Sequence, residues 1–161
     1  MATTIQNATL TVVVTETLSL GGTQYGGTKT LEIADINEVF KRIVKCAASQ
    51  TTTIATFNGN AFASDNAIDL ENVRYIRVTN LDDTNPMNLS LQVAGGEGGT
   101  ANMSATHLVG AGQSFIMHTV HDGIAVNDTD ASLVDSLTDL ESLLVDPLSE
   151  DIDVEVLIAS V

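Results

Sequence analysis

The sequence predicts an all-β domain, an antiparallel β-sandwich or jelly roll of about nine strands with at most one short helix. Three observations lead there. Apolar and polar residues alternate with period two along most segments, as they do when one face of a strand is dry and the other wet. Clusters of Gly, Asn and Asp interrupt the alternation at short intervals. The chain is 43% hydrophobic but only 4% aromatic, with no Trp, so its core must be aliphatic. A length of 161 residues suits a single domain over residues 1–161.

From Thr9 to Leu20, the even positions Leu10, Val12, Val14, Leu18 and Leu20 are apolar, with Glu16 the exception, and the odd positions are Thr or Ser except Val13. That is a half-buried strand. The segment GGTQYGG (Gly21–Gly27) breaks the pattern and reads as a mobile surface loop, and Thr28–Ile33 resumes it with Leu31 and Ile33. Residues 35–48 carry two signals. Asp35-x-x-Glu38 has the form of a capping box, with Ile36, Val39, Phe40, Ile43 and Ala47 on a helical stripe. The β-branched and aromatic content of the same stretch favours a strand from about Glu38 to Ala47, hairpin-paired with Thr28–Ile33, and strand is the expectation taken.

Thr51–Phe57 reads as a short Thr-rich strand, followed by a polar loop through Asn66. Asn72–Asn80 alternates Arg74, Ile76 and Val78 against Val73, Tyr75, Arg77 and Thr79, and Leu81–Pro86 (LDDTNP) is a turn in which Asp and Asn accept local backbone bonds and Pro stops the ladder. Met87–Val93 follows with Met87, Leu89, Leu91 and Val93 on one face, which predicts a hairpin with Asn72–Asn80. After the loop Gly95–Gly99, Met103–Val109 and Gln113–Thr119 flank Gly110-Ala-Gly112 as a second expected hairpin. Ser132–Leu148 reads either as a short helix or as a loop plus a strand ending near Pro147. Ile152–Val161 alternates again and is expected to close a sheet.

Charge narrows the partners. Six Lys and Arg stand against 21 Asp and Glu, a net charge of −15. All six basic residues (Lys29, Lys41, Arg42, Lys45, Arg74, Arg77) precede position 78, leaving a second half that is acidic without relief. Phosphate neutralisation needs clustered basic side chains, so nucleic acid is not expected as a partner. No run of 18 apolar residues is present, so no membrane-spanning helix is expected. The opening MATTIQNATL lacks a basic start and a continuous apolar stretch, and is expected to be mature sequence. Cys46 is alone, which rules out an intrachain disulfide and suits a small buried hydrophobe.

Few groupings could carry chemistry. His107, His118 and His121, with Asp122, are the candidate metal ligands, and His107 and His118 would be cross-strand neighbours if the second hairpin forms. Ser114, His118 and Asp122 supply triad residue types without a nucleophile elbow, and residues four apart on a strand stand about 13 Å apart. Asp151, Asp153 and Glu155 share a strand face, and Asn127–Asp130 is rich in oxygen, but neither has the glycine and closing Glu of a calcium loop. A solvated acidic face accounts for them. No catalytic, cofactor-binding or metal site and no cofactor is therefore expected, and the protein is read as a non-enzyme.

The stretches ATTIQNATLTVVVTE, INEVFKRIV, NVRYIRVTNLDDTN, LVGAGQSFIMH and DVEVLIASV, in that order, resemble small virion structural proteins of tailed bacteriophages, particularly marine ones. The resemblance implies a β-sandwich subunit on the capsid, neck or tail, made in the host cytoplasm and carried in the particle. It implies a decoration or cement protein that binds the major capsid protein or other virion proteins as a homo-oligomer. It brings no set of functional residues. The alternative is a host-recognition or carbohydrate-binding head of a fibre, against which the scarcity of aromatic residues counts. A metal-dependent hydrolase around the histidines is the third reading.

Overall fold

A computed structural model describes residues 7–58, 68–93, 103–119 and 140–161. Among the described residues thirteen strands run β1 Ala8–Thr15, β2 Ser19–Leu20, β3 Thr23–Gln24, β4 Thr28–Ile36, β5 Glu38–Cys46, β6 Thr52–Asn58, β7 Ile68–Asp69, β8 Val73–Asn80, β9 Met87–Val93, β10 Met103–Val109, β11 Ser114–His118, β12 Leu140–Asp146 and β13 Ile152–Ser160. One 3₁₀ turn, Leu70–Asn72, is the only helical element among the described residues. The loops Gly59–Asn66 and Gly95–Gly99, with His121, Asp122, Asn127–Asp130 and Ser132–Asp139, lie outside the described residues.

Two sheets form the body, ordered β11–β8–β13–β5 and β10–β9–β12–β6–β7. Setting the two-residue β7 aside, the body strands pair antiparallel in a nested series: β5 with β13, β6 with β12, β8 with β11 and β9 with β10. First pairs with last and each successive pair lies inside the previous one, which is the topology of a jelly roll.

The all-β reading therefore holds, with more strands than the nine expected. Both expected body hairpins are corrected. β8 and β9 belong to different sheets, as do β10 and β11. Alternation reveals which side chains are dry but not which strand lies alongside, and the connections Leu81–Pro86 and Gly110–Gln113 step across the roughly 10 Å between stacked sheets. The pairing proposed for Glu38–Ala47 is corrected too: β4 pairs with β1, and β5 pairs with β13. Strand, not helix, is the state of residues 38–46. The apparent helical stripe is divided, with Phe40 packed on the core and Val39 and Ile43 pointing outward. Asp35 starts no helix. It takes a left-handed conformation (φ 62°) inside a bulge where β4 carries one more residue than β1, so Ile33 and Ile36, three apart, are both buried.

Between the sheets lies one aliphatic cluster. Ile76, Val78, Val154, Val156 and Ile158 come from the four-stranded sheet, and Ile54, Leu89, Leu143 and Val145 from its partner. Each fully buried branched side chain contributes on the order of 1.5–3 kcal/mol. Cys46 is wholly buried among them. β8 bulges near Arg74 where it meets the end of β13, which returns Val73 to the core side while Tyr75 faces out.

The outward Tyr75 and Ala159 are covered by Ile33 and Ile36, with Leu10, Val12 and Leu31 beside them, at the base of a hairpin arm formed by β1 and β4. Beyond that base every residue from Val13 to Thr30 is exposed except Gly26. The segment read as a glycine loop is instead the end of this arm. β2 and β3 pair across Gly21 and Gly22, whose φ values of 60° and 80° fit a type I′ two-residue turn. Gly26 passes so close to Glu16 that an added Cβ would lie 2.1 Å from the Glu16 carbonyl oxygen.

Asn80 is the main polar group inside. Its Nδ2 donates to the carbonyls of Asn85 (2.8 Å) and Val109 (3.4 Å), and its Oδ1 accepts from the Asp82 N–H (3.0 Å). One side chain thus ties the end of β8 to the turn leading into β9 and to the end of β10. Asn80→Leu removes these bonds while keeping volume, and the groups left unpaired should cost about 1–3 kcal/mol. Urea unfolding should show a lower midpoint with an unchanged slope.

Candidate functional site

The four-stranded sheet gathers five of the six basic residues, Lys29 of β4 being the exception. On its outer face Glu155 of β13 stands between Lys41 of β5 (3.0 Å) and Arg77 of β8, which donates through Nη2. Diagonal placement across three neighbouring strands brings the three together: Ile43 and Thr79 stand opposite Glu155, two residues from Lys41 and Arg77. The Lys41 ammonium, burial and the Arg77 guanidinium act on Glu155 in that order, and the net result holds its carboxyl below the usual range. Its side chain is 15% exposed.

At the end of the same sheet, Lys45, Asp82, Asp83, Asp151 and Asp153 line an open cleft of about 280 Å³. Lys45 pairs with Asp151 at 3.4 Å, and Asp151 Oδ1 accepts from the Ala48 N–H at 2.9 Å. That backbone bond and the nearby ammonium lower the Asp151 pKa. Asp82 Oδ1 accepts from the Asn85 and Thr84 N–H groups, which lowers its pKa as well. Two of the four carboxylates are thus committed to locking turns. Asp151 and Asp153 are exposed, as the expected solvated acidic face requires, but Glu155 is largely covered and ion-paired.

The sequence candidates do not converge. His107 lies on β10 in one sheet and His118 on β11 in the other, so they are not cross-strand neighbours. The His107 ring packs 4.9 Å from that of Phe115. Ser114 shares a 2.8 Å hydrogen bond with Thr79 across β8 and β11. Among the described residues no three His, Cys, Asp or Glu side chains group as a metal site, and no helix is long and apolar enough to cross a membrane. Arg74 donates to the Glu71 carbonyl, capping the 3₁₀ turn. What sequence reading missed is the Lys41–Glu155–Arg77 cluster and the exposed arm. Their constituents were visible, but joining residues 41, 77 and 155 required knowing that the last strand inserts between β5 and β8.

No family model and no curated protein matches the chain. Among solved structures, one described as "Bacillus endospore appendages form a novel family of disulfide-linked pili" is similar, with 12% identity over 76% of this chain and 86% of that one and a TM-score of 0.41. So low a score transmits no function. The geometry itself defines a class: a jelly-roll sandwich with an acidic, ion-paired surface and a projecting arm.

Two measurements check these environments. Burial, the largest influence on Cys46, raises its thiol pKa. The thiol should therefore resist a bulky disulfide reagent in the native protein and react only once denaturant opens the sandwich. Glu155 has a depressed folded pKa, so its contribution to stability is complete above the unfolded value of roughly 4.3 and disappears as pH falls through the lower folded value. Glu155→Gln should lower the urea midpoint at neutral pH and flatten the acid limb of the stability profile.

Proposed function

We propose that this chain is a non-enzymatic structural subunit of a tailed-phage virion, a capsid decoration or cement protein that binds the major capsid shell as a homo-oligomer. The observation that carries this reading is the nested jelly-roll topology joined to an arm that stands clear of the body. Jelly rolls serve as building blocks of viral shells, where the same surface is buried many times over by symmetry and binding replaces chemistry. The arm offers extended backbone and apolar side chains for such contact. A net charge of −15 disfavours nonspecific self-association and suits a particle in salty water, where charge is screened beyond about 8–10 Å. Such a subunit is made in the host cytoplasm and works in the assembled particle.

Imaging of purified particles should find this protein in symmetry-related copies on the shell. Its presence solely at the tail tip would replace this reading with that of a fibre head, which a glycan array would then examine. Absence from the particle overturns both.

A further inference from the structure

The arm has the structure of an unfinished sheet. A two-stranded hairpin is marginal in water without a third strand or a packed face. Here only the base is packed, while Val13 (56% exposed), Val14 (48%) and the end of the arm face solvent. β1 is bonded to β4 on one side, and among the described residues no strand pairs with its other edge over Ala8–Thr15.

A matching open edge exists on the body of the same chain. Among the described residues β5 is bonded only to β13, leaving nine residues, Glu38–Cys46, open on the far side. Its outward face carries Val39 (58% exposed) and Ile43 (60%). Charge matches as well. β5 holds Lys41, Arg42 and Lys45 against Glu38. Lys41 and Lys45 are paired with Glu155 and Asp151 yet stay more than half exposed, and Arg42 lies over the Phe40 ring, so β5 is the edge strand richest in cations among the described residues. The arm, with Glu16, Glu32 and Asp35 against Lys29, is negative overall. For an acidic chain, this is a place where two copies could meet without like charges opposing them. Exposed Lys and Arg on an edge discourage indiscriminate strand pairing and favour an acidic strand.

We propose that the arm of one copy pairs with the β5 edge of a second copy, extending the four-stranded sheet across the subunit boundary. The contact is β-augmentation: backbone bonds supply the attraction, and apolar and charged side chains supply the choice of partner. It is also heterologous, arm to body, so each subunit keeps a free arm at one end and a free edge at the other. Such contacts close into a ring or continue as a chain. The contact does not rest on the virion reading: failure to find the protein on particles would leave it intact.

Native mass spectrometry on three full-length proteins tests it. The wild type should populate assemblies larger than one subunit. Val13→Lys/Val14→Lys on the arm and Val39→Lys/Ile43→Lys on β5 should each be monomeric, with a wild-type circular dichroism spectrum because all four positions are exposed. Mixed together, the two variants should form a 1:1 dimer and stop there, since the mixture retains one intact arm and one intact edge. A monomeric wild type at high concentration overturns the proposal. So does continued assembly of either variant alone, which would indicate arm-to-arm pairing or another surface, and so does a mixture that fails to pair. Should a variant lose its β-sheet spectrum, Val13→Thr/Val14→Thr or Val39→Thr/Ile43→Thr replaces it, with the same mixture as the readout.

Discussion

Because Ile76, Val78, Val154, Val156 and Ile158 of one sheet share a single dry layer with Ile54, Leu89, Leu143 and Val145 of the other, neither sheet can slip by one residue without turning its apolar set to water. This register constraint determines what happens outside. With the even positions of β13 directed inward, Asp153, Glu155, Leu157 and Ala159 must face out. The ion-paired cluster and the landing site for the arm are therefore by-products of the packing between the sheets. Mostly aliphatic side chains meet the demand, with Phe57 buried among them and Phe40 and Phe115 packed at the margin, which is how a chain without Trp closes a domain of this size.

The outer face of the four-stranded sheet divides into two parts with different roles. Where Tyr75 and Ala159 lie, it is apolar and covered by the base of the arm. Further along, Lys41, Glu155 and Arg77 cross three strands and hold the sheet together from its wet side. An ion pair in partial solvent contributes modestly to stability. Its greater effect is on specificity, since a shifted β13 would bring Glu155 out of reach of both cations. Asn80 plays the corresponding part inside, linking two corners that alternation alone would leave independent.

Much of this was legible in the chain. Period two in Met87–Val93, Ile152–Ile158 and the Tyr75–Asn80 part of β8 reports which side chains face the core, and LDDTNP carries its own turn chemistry, but the bulge at Arg74 that returns Val73 to the core was not legible. Sheet membership was not legible, because an Asp/Asn turn looks the same whether it folds a strand back beside its predecessor or sends it to the opposite layer. Residues 35–48 are ambiguous in another way, although strand is the reading taken. Ile36, Val39, Phe40 and Ile43 fall on a helical stripe only because an outward-facing apolar pair is interleaved with inward-facing residues. The glycine segment hid a hairpin end, since Gly21 and Gly22 serve a tight turn as readily as a loop. The absence of a convergent catalytic set in the sequence left the function to be argued from surfaces, and those surfaces depend on long-range pairing.

The placement of β13 between β5 and β8 also bears on how the molecule comes into being. Residues 38–46 are synthesised well before residues 152–160, which supply the ladder that anchors them. On the ribosome, β5 must wait as an open template through the production of almost the entire body. Pairing so distant in sequence folds slowly and leaves nascent edges vulnerable to wrong neighbours. The lysines and arginine along β5, viewed in that interval, act as guards on an incomplete chain before they serve the finished one.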